Sequence, residues 1–175
     1  DSWATDGHKW LNVPYDSGIA FVRDRDALRA AMAVTADYLP TEGAGRNPSD
    51  YTPELSRRAR GVDVWAALHT LGRSGLAQMI ESSCSHARRF ADELAAAGAQ
   101  VLNEVVLNQV LVSFGPAERT RSVVAALQRD GTCWCGPTIW QGQTAMRISV
   151  CNAATTDDDV SRSLAAMRRA MMATA

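Results

Sequence analysis

From residue 57 to the end of the chain, the apolar residues switch repeatedly between a helical spacing and short β-branched runs. No other feature restricts the possible folds as much. Val64, Leu68 and Leu71 follow an i, i+4, i+7 pattern with Trp65 beside them. Gly72 and Gly75 bracket an expected kink. Leu76, Met79 and Ile80 then open a second helical stretch, which passes Phe90 and Leu94 and stops at Gly98. Residues 101–107 and 109–114 read as strands, and 117–129 as a helix with Val123, Val124 and Leu127 inward. Residues 132–140 and 144–150 read as further strands joined by a Gln-Gly-Gln turn. In the last helix Thr156 is the expected cap, with Asp159 completing a short capping box. Val160, Leu164, Met167 and Met171 form its buried stripe, read as core rather than as a cofactor contact. Such stripes are buried by laying helices on one side of a small antiparallel sheet, so 57–175 is expected to be an α+β domain.

Residues 1–56 read differently. A strand ends at Thr5, and a polar turn at Asp6-Gly7 presents His8 and Lys9. The turn cluster Pro14-Tyr15-Asp16-Ser17-Gly18 leads into Ile19, Ala20, Phe21 and Val22, an apolar run that fits a strand buried on both faces. Asp24 and Asp26 precede a helix over 27–33. Residues 35–56 hold three Pro and two Gly and read as a long loop, a length at which loops tend to be lids or binding loops.

The 175 residues suit one domain or a domain with a piece of another. The start, Asp1-Ser2-Trp3, lacks an initiator Met and any signal-like pattern, and reads as a fragment whose preceding part is missing. A net charge of −1 gives no field for nucleic acid or an anionic membrane, and no apolar run reaches the roughly 20 residues of a membrane span. Cys84, Cys133, Cys135 and Cys151 read as free thiols in a reducing cytosol. They and the three histidines lack zinc-type spacing, so no metal site is expected.

Lys9 is the only lysine among 18 basic residues; every other one is arginine. Lysine can lose a proton and attack a carbonyl, whereas a guanidinium stays protonated. Flanked by His8 and Trp10 where a strand meets a turn, Lys9 is a candidate Schiff-base residue; the plainer alternative is a surface lysine.

Asp6-Gly7-His8-Lys9-Trp10 resembles the cofactor-lysine segment of the pyridoxal-phosphate-dependent group II amino-acid decarboxylases: an Asp or Asn, a small residue or proline, then His-Lys-Trp. "SRRARGVDVWAALHTLGRSGL" (56–76) and "AMRISVCNAATTDDDV" (145–160) resemble that family's helix entry and C-terminal strand-helix region, in family order. The resemblance implies an α/β chain, the C-terminal portion of a fold type I pyridoxal-phosphate enzyme. Residues 1–56 would end the cofactor-binding large domain, with an active-site loop at 35–56, and 57–175 would be the small domain. It implies decarboxylation of an L-amino acid to an amine and carbon dioxide, in a cytoplasmic homodimer that binds neither nucleic acid nor membrane.

By the same resemblance Lys9 would carry pyridoxal 5'-phosphate as a Schiff base. His8 would lie by the cofactor, and Asp6 would either contact the phosphate region or bond backbone N–H groups in its own turn. Tyr38 would supply a proton to the substrate carbon, with Tyr51 the weaker candidate; the alternative for either is an anchor that packs the loop down. Arg147 would bind the substrate carboxylate or else form a structural ion pair. Arg57, Arg58 and Arg60 would make helix-entry and interface salt bridges. Ala59 departs from the family, which often has a bulky aromatic there, and "TCWCGPTIWQGQ" matches no particular substrate class. An aminotransferase or a carbon–carbon lyase is the alternative within the cofactor class, and a non-catalytic partner-binding domain the alternative outside it.

Overall fold

The computed structural model describes residues 1–34 and 45–174. They fall into two compact units, Asp1–Thr70 and Leu71–Ala175.

In the first unit, β1 (Ser2–Asp6) and β2 (Gly18–Val22) form an antiparallel hairpin in which Ser2 faces Val22 and Asp6 faces Gly18. The cross-strand partners Trp3 and Phe21 stack at 3.9 Å. Within this chain Phe21 is 44% and Trp3 62% exposed. A short apolar run shows that a strand pairs but not that a layer covers it. The expected turn at Asp6-Gly7 is instead the end of β1 followed by a single helical turn, α1 (Gly7–Trp10), in which Leu11 N–H donates to Gly7 O. α2 (Arg25–Met32) starts where Asp24 Oδ1 accepts from the backbone N–H groups of Asp26 and Ala27. Of the expected 35–56 loop, the described part contains one 3₁₀ turn, Pro48–Tyr51. Arg29 pairs with Asp50 at 3.1 Å, and Arg25 Nε donates to the Tyr51 hydroxyl at 2.8 Å.

α3 (Arg60–Ala96) begins in this unit. Arg60 grips Asp16 with two hydrogen bonds, at 2.8 and 3.2 Å, and Glu54 with a third. Arg58 pairs with Asp63 at 2.7 Å, and Arg57 donates to Glu54 O. The arginines before and at the start of α3 are thus bound at the helix entry, as their sequence position suggests. The Arg60 guanidinium holds the Asp16 carboxyl below the ordinary carboxylate range.

The second unit carries most of the core. Gly72, at φ 61 and ψ −174, breaks α3 where a kink is expected. The helix ends at Gly98, whose φ of 90 suits glycine, with Ala99 N–H reaching back to Leu94 O. The sheet is antiparallel in the order β3-β4-β6-β5, from β3 (Gln100–Val101), β4 (Gln109–Ser113), β5 (Gly136–Trp140) and β6 (Gln143–Ser149). Val110, Val112, Met146 and Ile148 meet Phe90 and Leu94 of α3, Val123 and Leu127 of α4 (Ala117–Asp130), and Val160, Leu164 and Met167 of α5 (Asp157–Ala173). The Met stripe is core, and this unit, which starts at Leu71 rather than at 57, packs helices on an antiparallel sheet.

Two strands are shorter than expected. Residues 101–107 do not form one strand, because Asn103 replaces the backbone ladder with its side chain. Its Oδ1 accepts from Leu111 N–H at 2.8 Å and its Nδ2 donates to Gln109 O at 3.2 Å. Residues 132–135 are spent on closing α4: Gly131 takes φ 75, and Thr132 bonds the Asp130 carboxylate through backbone and hydroxyl. The β5–β6 hairpin closes through Gln141 and Gly142, both at positive φ, the tight two-residue form that fits strand twist.

The capping box at α5 is complete. Thr156 Oγ1 accepts from Asp159 N–H, and Asp159 Oδ2 accepts from Thr156 N–H at 2.9 Å. Hydrogen bonds from Thr156 lower the Asp159 pKa. A carboxyl depressed on folding stabilises above its unfolded pKa and loses that contribution as pH falls through its folded value. Thr156→Ala is expected to destabilise the fold by about 1 kcal/mol, read by urea unfolding at neutral pH. No change would mean that the cap contributes nothing.

Candidate active site

The sequence candidates are distributed over both units. Asp6, His8 and Lys9 share the turn that joins β1 to α1. Gly7 is buried, and a Cβ there would come 3.2 Å from Ser17 Oγ, a tight contact that the serine side chain would have to yield to. Ser17 is 1% exposed. Its carbonyl accepts from His8 N–H, and its peptide unit lies against His8 Nδ1, with O at 2.9 Å and N at 3.1 Å. One nitrogen cannot donate and accept at once. The ring therefore bonds Ser17 O with its proton on Nδ1, or Ser17 N–H with its proton on Nε2. In both tautomers the imidazole is fixed, and Tyr15 packs against it at 4.2 Å between ring centroids.

Lys9 has a different partner. Its Nζ donates to Asp6 Oδ2 at 2.6 Å, and its side chain is 55% exposed. The hydrogen bond from Lys9 lowers the Asp6 pKa. This corrects one alternative for Asp6: its carboxylate makes no bond to the helix cap and is taken by the lysine instead.

Tyr38 lies outside the described residues. Tyr51 is held as an anchor: its hydroxyl accepts from Arg25, and the Arg46 guanidinium sits 4.4 Å from its ring centroid.

In the second unit Arg147 lies on β6 between the core residues Met146 and Ile148, so strand alternation turns it to the opposite face. Its register partners are Leu111 on β4 and Gly136 on β5. It is exposed, and among the described residues no carboxylate pairs with it. No group of His, Cys, Asp or Glu suited to a metal occurs among the described residues. No helix there is long and apolar enough to cross a membrane.

Tyr15 and Ser17 are the site residues that sequence reasoning missed. Their only signal was a turn cluster, which does not say that the turn folds back onto a histidine nine residues earlier.

The family profile described as "Pyridoxal-dependent decarboxylase conserved domain" matches residues 1–115. The chain belongs to the pyridoxal-dependent decarboxylase family. Among curated relatives, a histidine decarboxylase of Drosophila melanogaster is 30% identical over 165 residues, covering 91% of this chain and 19% of that protein. An aromatic-L-amino-acid decarboxylase of the same species is 27% identical, covering 91% of this chain and 32% of that protein. In fold, the chain matches Oryza sativa TDC, solved with PLP and tryptamine, at a TM-score of 0.89 and 20% identity. That match covers 99% of this chain and 39% of the solved one. Catharanthus roseus tryptophan decarboxylase, solved with L-tryptophan, matches at 0.85 and 19% identity over 100% of this chain and 39% of its own. The α/β fold is therefore that of these decarboxylases, and the chain spans well under half the length of these relatives.

The family's cofactor is pyridoxal phosphate, and the donor set on the β1–α1 turn fits it. An exposed primary amine can bond the aldehyde carbon, and a rigidly held imidazole beside it can meet a ring or phosphate oxygen.

Proposed function

We propose that this chain forms part of an amino-acid decarboxylase in which Lys9 tethers pyridoxal 5'-phosphate through a Schiff base. The observation that carries the reading is the β1–α1 turn, where the chain's one lysine projects from a backbone locked by Gly7, His8 and Ser17. When bound, the cofactor supplies an electron sink for the bond to the departing carboxylate.

The chain's own residues do the rest. A carboxylate 2.6 Å away pairs with an ammonium, whereas bonding to a carbonyl carbon needs the free amine, so Lys9 must release Asp6 first. His8, clamped through Nδ1, turns its other nitrogen to the cofactor and positions it. Tyr38 delivers the proton to the substrate carbon; its support is its place in the family pattern and the suitability of a phenol as a donor. Arg147, exposed and with no carboxylate partner among the described residues, binds the substrate carboxylate through a planar guanidinium. Parts of the protein outside this chain complete the cofactor site, and the working form is a cytoplasmic homodimer. Exposed Val62, Trp65 and Leu68 on the first part of α3 support the dimer. Light scattering on the full-length protein checks it, and a monomer under assay conditions would remove it.

Borohydride reduction of the full-length protein with pyridoxal phosphate, followed by peptide mass spectrometry, tests the central reading. A pyridoxyl group on Lys9 is expected; an unmodified Lys9 rejects it. Carbon dioxide release, as against keto-acid formation, separates decarboxylation from transamination. Arg147→Ala is expected to raise KM by roughly ten- to a hundredfold, the worth of one charge-assisted hydrogen bond, with the adduct at Lys9 unchanged. An unaltered KM would free Arg147 from the substrate.

A further inference from the structure

The second unit holds a feature that the decarboxylase reading does not use. Cys133 and Cys135 flank Trp134 beside a cleft of about 520 Å³, lined also by Cys151, Asp159 and Ser163. Trp134 is 76% exposed, and Cys135 is 4% exposed. Cys133 is half-buried and opens onto the cleft. The two thiols, one residue apart, both line the cleft, and Ser163 of α5 lines it with them. Gln128 of α4 donates to Cys135 O at 2.9 Å, which fixes the inner cysteine. None of the four cysteines is in a disulfide.

We propose that Cys133 is a modification site for peroxides, with Cys135 as the resolving thiol. The Cys133 thiolate attacks one peroxide oxygen and the O–O bond breaks. Cys133 becomes a sulfenic acid, its sulfur oxidised by two electrons, and the peroxide is reduced to an alcohol or to water after taking up a proton. The Cys135 sulfur then bonds to the Cys133 sulfur, the S–O bond breaks, and water leaves with the Cys135 proton. In sum, two thiols and one peroxide give a disulfide, water and an alcohol or a second water.

The surroundings divide these roles. The hydrogen bond from Cys135, with another from Ser163, brings the Cys133 pKa down to about 7 against the opposition of burial. Cys135 is pushed up by donating its proton to Cys133 and by burial. One thiol is ready to attack while the other keeps its proton until condensation. Of the charged groups nearby, Asp130 at the end of α4 opposes the thiolate and is itself engaged by Thr132 and Arg169. Asp159 at the start of α5 is engaged by Thr156, and Cys151 lies on the same wall. Among the described residues no Lys, Arg or His lines the cleft, so hydrogen bonds rather than a cation favour the thiolate. Residues 132–135 precede the β5 ladder, so the segment can bend to bring the two sulfurs together without breaking a strand pair.

The test uses the full-length protein, hydrogen peroxide at near-stoichiometric amounts, and dimedone, which traps sulfenic acids. Wild type is expected to lose two hydrogens by forming a disulfide between Cys133 and Cys135, and to take little dimedone. Cys135→Ala and Cys135→Ser should each trap dimedone at Cys133, so the result does not rest on one variant's folding. The pH midpoint of iodoacetamide alkylation at Cys133 should lie near 7 in wild type and rise by about one unit in Cys135→Ala. A Cys133–Cys151 disulfide, preferential oxidation of Cys84 or Cys151, or reaction at Cys133 no faster than in guanidinium-unfolded protein would each overturn it. None of these outcomes depends on decarboxylase activity.

Discussion

In the full-length protein, Lys9→Arg is expected to lose the borohydride-fixed adduct and to lower carbon dioxide release by roughly a thousandfold, with circular dichroism unchanged. The choice of arginine isolates the chemistry. A guanidinium keeps the positive charge and can still pair with Asp6, so the local ion pair on the β1–α1 turn survives. It has no amine that can lose a proton near neutral pH, so bonding to an aldehyde carbon is lost. The hairpin register and the Ser17–His8 clamp involve no atom of the Lys9 side chain, so the turn should hold its shape. Substantial activity in Lys9→Arg, with the adduct found elsewhere, would remove Lys9 from the reaction.

The second large effect concerns stability. Leu164→Ala is expected to destabilise the second unit by about 2–5 kcal/mol, measured by urea unfolding. Leu164 is 1% exposed and sits among Val160 and Met167 of its own helix, the α4 residues Val123 and Leu127, and the sheet residues Met146 and Ile148. Truncation loses the transfer free energy of the removed atoms and leaves a cavity that a core built from several elements cannot readily collapse into. Since folded domains hold only about 5–15 kcal/mol in all, the variant should approach the edge of folding. Met172→Ala, at a residue 70% exposed on the same helix, should change stability by under about 0.5 kcal/mol. Similar losses for the two would show that the core is placed wrongly.

What the sequence shows best is what short-range chemistry decides. The α5 capping box, the stop at Gly98 and the Gly72 break each rest on residues within a few positions of one another, and each occurs as expected. The strand ends were harder to read. Asn103 ends β3 by reaching across to Leu111 and Gln109, a side-chain choice that a β-branched run does not announce. The exposure of Phe21 depends on what lies over the hairpin, which spacing does not encode. At the site, uniqueness and family pattern marked Lys9 and His8. The Ser17 clamp and the Asp6–Lys9 pair are not legible in the sequence, because backbone folding decides which neighbour a polar atom meets. Arg147's exposed face follows from alternation along β6.

The two borders of the four-stranded sheet carry a consequence for self-association. An open strand edge is a template on which another chain can add, and a long flat one invites fibril-like growth. Here one border is β3, only two residues long. The other is β5, which carries Pro137, a residue with no N–H to offer an incoming strand. Neither border presents a continuous row of donors and acceptors, so the sheet is poorly suited to recruiting copies of itself even when the protein is crowded or newly made.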